Sequence, residues 1–345
     1  MAYRMKHVAE RAGVSVTTVS HVVNKTRPVA PATRDRVLAA IQDLNFYKNL
    51  HAQRLSRGQS NFFGLIVSDI ANPFFPDIIK SFETTALERG CELLLANTNY
   101  DPDRTEAAVR KMIENGVRAV AVLTSELGKA LAGELAAHQV AVVFLDLGRV
   151  GRLVSNIRVD YSAGIFEAIA HLRDLGHEKI VFISGPQALG SAVTRREAFV
   201  KALEHWGLPS HRTIEGNHKV DGGIRAVRTL LDQPHFPTAI LASNDLTAIG
   251  ALAALDAAGI RVPEQVSVVG FDDIDFARLS HPPLTTVRLS REFLGRQAFE
   301  ALDHMLRSKR RRGKEYVVKT HLVVRNSTGP ARTSQLDVPA PEDST

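Results

Sequence analysis

The sequence predicts a small all-α domain at the N-terminus, followed by a larger α/β body with parallel sheets arranged in two lobes. Three observations predict it. Residues 1–60 hold all the excess positive charge, ten Lys and Arg against Glu10, Asp35 and Asp43, while the remaining residues are nearly balanced at 33 basic to 34 acidic. The first 46 residues place apolar side chains at helical spacing around a break at Gly13. From Phe62 onward, short apolar runs alternate with amphipathic stretches. With 44% hydrophobic and 23% charged residues in 345, the composition excludes a mainly disordered or fibrous chain.

Within the basic segment, Lys6–Ala12 reads as a short helix with Val8, Ala9 and Ala12 on one face, ended by Gly13-Val14. Ser15 is placed to cap a second helix from Val16 to Asn24 by accepting from the backbone N–H groups of its first turn. A third helix, Thr33–Asn45, turns Val37, Ala40, Ile41 and Leu44 inward. Two short helices about a Gly-containing turn make a helix-turn-helix. In the second helix, Val16, Thr17 and His21 lie opposite Val19, Val22 and Val23. Their methyl, hydroxyl and imidazole groups suit base edges in a major groove. Thr18, Ser20, Asn24, Lys25 and Arg27 suit phosphates, which position a domain without specifying sequence, and the capping Ser15 is counted with these DNA-binding residues.

In the body, strands are expected at Phe63–Ser68, Glu92–Ala96, Arg118–Thr124, Val140–Leu145, Lys179–Ser184, Ala239–Ser243 and Val266–Gly270. Helices such as Phe75–Arg89 and Arg104–Glu114 lie between them. A doubly covered parallel sheet opens a ligand cleft at the carboxyl ends of its strands. Asn72, Phe74, Phe75, Asp146, Asn244 and Asp272 follow such strands. Carboxylates, amides and a guanidinium beside an aromatic face suit a polyhydroxylated ligand.

The run Val8-Ala-Glu-Arg-Ala-Gly-Val-Ser-Val-Thr-Thr-Val-Ser-His-Val-Val-Asn-Lys-Thr26 closely resembles the DNA-binding domain of the lactose-repressor (LacI/GalR) family. Thr17–His21 is most similar to the recognition helix of the family's purine repressors. Asn49–Ser56 resembles the family hinge, with Ala52 at the DNA and Leu55 as the minor-groove wedge at a central CpG step. The landmarks Asn72-Pro-Phe-Phe75, Gly176-His177, Ser184-Gly-Pro186, Asn244-Asp245, Val269–Asp273 and Pro282–Thr286 resemble the family's ligand core, which is similar to type I periplasmic sugar-binding proteins. Two departures are Arg4 and His7, where the family has Thr and Asp, so the first helix loses a cap; a third is Asp146-Leu147 in place of Asp-Arg.

The resemblance implies a DNA-binding domain at 1–46, a hinge at 47–60 and a two-lobed core at 61–328, while the tail at 329–345, with three prolines among polar residues, is expected to be disordered. The first lobe would comprise about 61–158 and 288–315, the second about 159–287 and 316–328. It implies a transcriptional repressor that binds a palindromic double-stranded DNA operator as a homodimer, with helix Phe75–Arg89 and Ser81 toward the partner. A small sugar-like effector would stack on Phe75 or Phe74 and bond Asp146, Arg195, Asn244 and Asp272, with Asn72, Asp160, Ser191 and Arg291 at the cleft.

The rival classes are an α/β enzyme and a periplasmic sugar-binding protein. No two glycines are separated by one residue, so GxGxxG cannot occur, and GK[ST], GxSxG and HExxH are missing as well. No metal or cofactor is expected. A binding protein has no use for the basic first sixty residues. The N-terminus lacks an apolar signal core and Val140–Leu145 is too short to span a bilayer, so a cytoplasmic protein without a membrane partner is expected. The single cysteine, Cys91, is expected as a buried thiol and His177 as structural; Arg310-Arg311-Arg312 resembles a nucleic-acid patch but, lying between a helix and a strand, is expected as a solvated loop.

Overall fold

The computed structural model describes residues 3–46, 61–124, 129–148, 150–209 and 212–333. The chain divides after Ser60 into two compact units. The first holds α1 (Met5–Ala12), α2 (Val16–Asn24) and α3 (Pro31–Asp43). Gly13 adopts the left-handed conformation, φ 64°, and its N–H caps the end of α1. The Ser15 hydroxyl accepts the Thr18 N–H at 3.1 Å to open α2. Val8, Ala9, Ala12, Val19, Val37, Ala40 and Phe46 form the core. One expectation is corrected here. Helix α1 keeps a cap, because His7 Nδ1 accepts the Arg4 backbone N–H at 2.9 Å.

The second unit runs β1 (Phe62–Val67), α4 (Phe74–Glu88), β2 (Glu92–Asn97), α5 (Pro102–Glu114), β3 (Ala119–Leu123), α6 (Lys129–Ala137), β4 (Ala141–Leu145), β5 (Val154–Asp160) and α7 (Tyr161–Asp174). It continues with β6 (Ile180–Ser184), α8 (Gly190–His205), β7 (Thr213–Glu215), α9 (Val220–Leu231), β8 (Ala239–Ala242), α10 (Asp245–Ala257) and β9 (Ser267–Asp272). It ends with α11 (Asp275–Leu279), β10 (Thr285–Leu289), α12 (Arg291–Arg307) and β11 (Glu315–Val323). The strands are ordered β2-β1-β3-β4-β5-β11-β10-β9-β8-β6-β7. Every pairing is parallel except β10 with β11. Strands β3 and β8 are buried along their whole length, as helices on both faces require.

Strand β11 is the seam of the molecule. Glu315–Lys319 pair with β5, and Thr320–Val323 then pair with β10, so one strand completes both halves of the sheet. Helix α7 lies against this seam so closely that a Cβ on Gly164 would come within 2.2 Å of Val287.

Two further expectations change. Gly329–Thr333 is ordered: Ala331 N–H bonds the Leu175 carbonyl at 2.8 Å, and Arg332 reaches the Phe236 carbonyl at 2.8 Å. Cys91 is half-buried rather than enclosed, because it precedes β2 at a helix-to-strand turn. The Ser81 hydroxyl donates to the Glu292 carbonyl of the same chain at 2.6 Å. His177 is buried, with Nε2 2.9 Å from Ser267 Oγ and 3.0 Å from the Gly329 carbonyl.

Candidate nucleic-acid interface and ligand cleft

Helix α2 buries Val19 and leaves Val16 and Thr17 exposed. Val16 is 47% exposed, a cost in water that a thymine methyl would remove. His21 is half-buried and its Nδ1 lies 2.8 Å from Thr26 Oγ1, which fixes the ring and leaves Nε2 for a base edge. Thr18 is tied to the Ser15 hydroxyl at 2.9 Å, and Asn24 donates to Ser20 Oγ at 3.0 Å. Lys25, in the left-handed conformation at φ 51°, caps the end of α2, and Arg27 follows it exposed. Ala52 and Leu55 lie outside the described residues.

The cleft of the second unit has a volume of about 300 Å³. It lies between the two halves of the sheet, where β1, β4, β8 and β9 end. Asn72, Phe74, Phe75, Asp146, Ser191, Arg195, Asn244 and Asp272 all line it. Phe74 and Phe75 meet edge to face at 5.2 Å. Asn72 Oδ1 accepts the Phe74 N–H at 3.0 Å and so sets the turn that starts α4.

Arg195 is the hub. Its guanidinium lies over the Phe271 ring at 4.2 Å and the Tyr161 ring at 4.9 Å. Nη1 donates to the Ser243 carbonyl, and Nη2 lies 3.4 Å from Asp272 Oδ1. Its Nε is buried and has no partner among the described residues. Asp272 sits at φ 114°, a conformation that side-chain-bearing residues rarely adopt. Burial pushes its carboxyl up to about 6, against the opposing pull of Arg195 and then Arg291. Asp146, at φ 57°, accepts from the Val159 N–H at 2.8 Å and the Tyr161 hydroxyl at 2.7 Å. Burial raises the Asp146 carboxyl despite these bonds.

Other expected residues have local duties or sit elsewhere. Asn244 Oδ1 caps α10 through the Thr247 N–H at 3.0 Å, and its Nδ2 donates to the His218 carbonyl at 3.0 Å. Asp160 is outside the cleft lining, because its carboxylate caps α7 at Ala163 and its carbonyl accepts from Thr320. Arg291 is also outside it. Helix α12 aims Arg291 at Asp77, 2.8 Å away, and at the carbonyl oxygens of Asp272 and Asp273.

Sequence reasoning missed Tyr161 and His218, which line the cleft after β5 and β7. Neither strand is an apolar run, so the strand-end signal was hidden. His218 packs against Gly185, where a Cβ would come within 1.9 Å of its Nε2. Burial, with Arg195 nearby, drives its pKa down to about 3, so the ring is neutral. Its Nε2 also has no partner among the described residues. Among those residues no group of His, Cys, Asp and Glu could hold a metal ion, and no helix is long and apolar enough to cross a membrane.

The comparisons agree with this architecture. The family model described as bacterial regulatory proteins, lacI family, matches residues 4–49, and the periplasmic binding protein-like domain matches 169–328. The HTH-type transcriptional repressor PurR of Photobacterium profundum is 33% identical over 326 residues, 94% of this chain and 98% of its own. A solved lac repressor dimer, bound to operator and the anti-inducer ONPF, superposes with a TM-score of 0.84 at 29% identity, over 95% of this chain and 100% of that one. The transcriptional regulator CelR in its cellobiose complex does so at 0.71 and 31% identity, covering 94% and 99%. A basic helix-turn-helix unit joined to a two-halved α/β core, matched over nearly its whole length, makes this chain a member of the lacI family of bacterial DNA-binding transcriptional regulators, and not an enzyme.

Proposed function

We propose that the chain is a cytoplasmic repressor that binds a palindromic operator as a homodimer, with an affinity set by a sugar or sugar-like polyol held in the cleft. The supporting observation is the buried Arg195–Asp272 pair, flanked by the Phe74–Phe75 face and by unpartnered Arg195 Nε and His218 Nε2. Hydroxyls pair with carboxylates and guanidinium groups, and sugar C–H faces stack on rings. The resemblance to a regulator solved with cellobiose supports the same ligand class. In this reading residues 1–46 bind DNA, 47–60 are the hinge, and the lobes are 61–158 with 288–315 and 159–287 with 316–328.

A thermal-shift screen of sugars, sugar phosphates and purines tests the ligand class. A sugar should raise the melting midpoint, and Arg195→Ala should abolish both that shift and the ligand's effect on DNA while keeping ligand-free DNA affinity. A purine as the sole hit, or a wild-type response in Arg195→Ala, overturns the proposal.

A further inference from the structure

The connection between α12 and β11 carries Lys309, Arg310, Arg311, Arg312 and Lys314, all exposed. Among the described residues none of these five side chains has an ion-pair partner. The nearby carboxylates are already engaged: Asp303 holds Arg307 at 2.8 Å and Arg89 at 3.4 Å, and Glu315 holds Arg158 at 3.3 Å. Among the described residues no ion pair neutralises the cluster.

The connection is also stiff. Leu153 N–H bonds the Arg311 carbonyl at 2.8 Å, Gly313 N–H the Gly151 carbonyl at 2.8 Å, and Asn156 N–H the Lys314 carbonyl at 3.0 Å. The Lys314 N–H donates to Ser155 Oγ at 3.1 Å. Gly313 lies so close to β5 that a Cβ there would come within 1.8 Å of the Val154 carbonyl. A loop meant only for solvation needs no such anchoring. Here the charges are held as a ridge, with little backbone left to order on binding.

The ridge has a defined place. Parallel pairing puts the starts of β1, β3, β4, β5 and β11 at one end of the first half of the sheet. The polypeptide enters the core at that end, at Asn61, from the DNA-binding unit. Four strand spacings separate β1 from β11, roughly 19 Å, which is about the width of a DNA duplex. Exposed Arg152 adds to the ridge, paired in a β-bridge with Arg312 and donating to Gln139 at 3.1 Å.

We propose that this ridge is a second, sequence-independent DNA contact, in which the core itself takes up backbone phosphates of the duplex that the N-terminal unit reads. It rests on the chain binding duplex DNA through its N-terminal unit. Duplex DNA carries one charge per about 1.7 Å, and each phosphate neutralised steepens the salt dependence by about 0.9 in the log–log slope. The contact adds affinity and salt sensitivity without changing the bases preferred.

The test uses the full chain and a duplex obtained by binding-site selection, alongside a scrambled duplex of equal length. The ridge variant changes Lys309, Arg310, Arg311 and Arg312 to Ser. A charge-matched control changes exposed Lys179, Lys201, Arg212 and Arg228 of the other half to Ser. A third protein carries Arg310→Lys, Arg311→Lys and Arg312→Lys. Affinity is measured from about 50 to about 300 mM salt, a range over which phosphate contacts are strongly screened. Melting midpoints establish that each variant is folded.

The ridge variant should lose about tenfold in affinity at low salt on both duplexes, with a slope shallower by at least one, while selecting the same sequence. The control should move less than twofold, and the lysine variant should retain wild-type slope and affinity. An unchanged slope in the ridge variant overturns the proposal, and so does an equal loss in the control, which would mean long-range net charge alone. If the wild-type chain bound neither duplex, the DNA-binding reading itself would fail, and this proposal with it.

Discussion

Asp272 shows how one residue can serve both fold and ligand. Its carboxyl is pushed up to about 6 by burial, while Arg195 and Arg291 pull it down. For an acid raised in the folded state, stability is fully present below the unfolded value of 3.8 and is lost as the pH climbs through 6. Holding this carboxylate ionised without a ligand therefore costs on the order of 3 kcal/mol at neutral pH. Sugar hydroxyls donate to a carboxylate and favour its ionised form. A bound sugar should then release protons near pH 6 and none near pH 8. His218, already neutral with its pKa near 3, contributes nothing in that window. Isothermal titration in two buffers of different ionisation enthalpy, with the sugar found by screening, checks this. Buffer-independent heats at pH 6, or proton release that persists in Asp272→Asn, would show that another group is responsible.

At the scale of elements, α2 separates reading from positioning. His21 is fixed by Thr26 with one ring nitrogen left for a base, whereas Lys25 caps the helix end and points its charge outward. His21→Ala should cost roughly 1–3 kcal/mol and relax preference at one base pair per half-site. Lys25→Ala should weaken all sequences alike and flatten the salt slope by about one. Binding-site selection decides, since an unchanged motif for His21→Ala would place the reading face elsewhere. The elements most legible in the sequence were those with an unmixed burial pattern. Strands β1, β3, β4 and β8 are enclosed by helices on both faces and are therefore written as apolar runs. Strands β5 and β10 mix Ser, Asn, Arg, Asp and Thr into their runs, and β7 has three residues, so periodicity could not mark them. The site followed the same logic. Residues after legible strands, such as Asn72, Phe75 and Asp272, were found, and those after the hidden ones, Tyr161 and His218, were not. Asp160 and Arg291 were misplaced because sequence position gives proximity to a cleft but not the direction of a side chain, and both turn to local partners.

At the scale of the whole core, Arg291 joins what the cleft divides. It starts α12 and reaches Asp77 of α4 on one side, at 2.8 Å, and the Asp272 and Asp273 carbonyl oxygens of the other half-sheet on the other side. Its anchor, Asp272, is the residue whose carboxylate faces Arg195 in the cleft. A ligand that moves Asp272 must therefore move Arg291 or break its bonds, and α4 shares that strain through Asp77. Coupling requires the ligand to prefer one arrangement of the halves, and typical coupling is about 1–3 kcal/mol, or roughly 5- to 150-fold in DNA affinity. Arg291→Gln keeps a hydrogen-bonding side chain but removes the charge from Asp77 and shortens the reach. That variant should bind the sugar within about threefold of wild type, because it leaves the cleft lining intact, and should bind DNA normally without ligand. Its DNA affinity should no longer respond to saturating sugar. Titrating operator duplex into the variant with and without the sugar separates these quantities. A full wild-type response would show that the halves communicate by another route, such as the chain crossings from β5 to α7, from β10 to α12 and along β11, whereas a lost sugar affinity would mean that Arg291 shapes the cleft rather than reports on it.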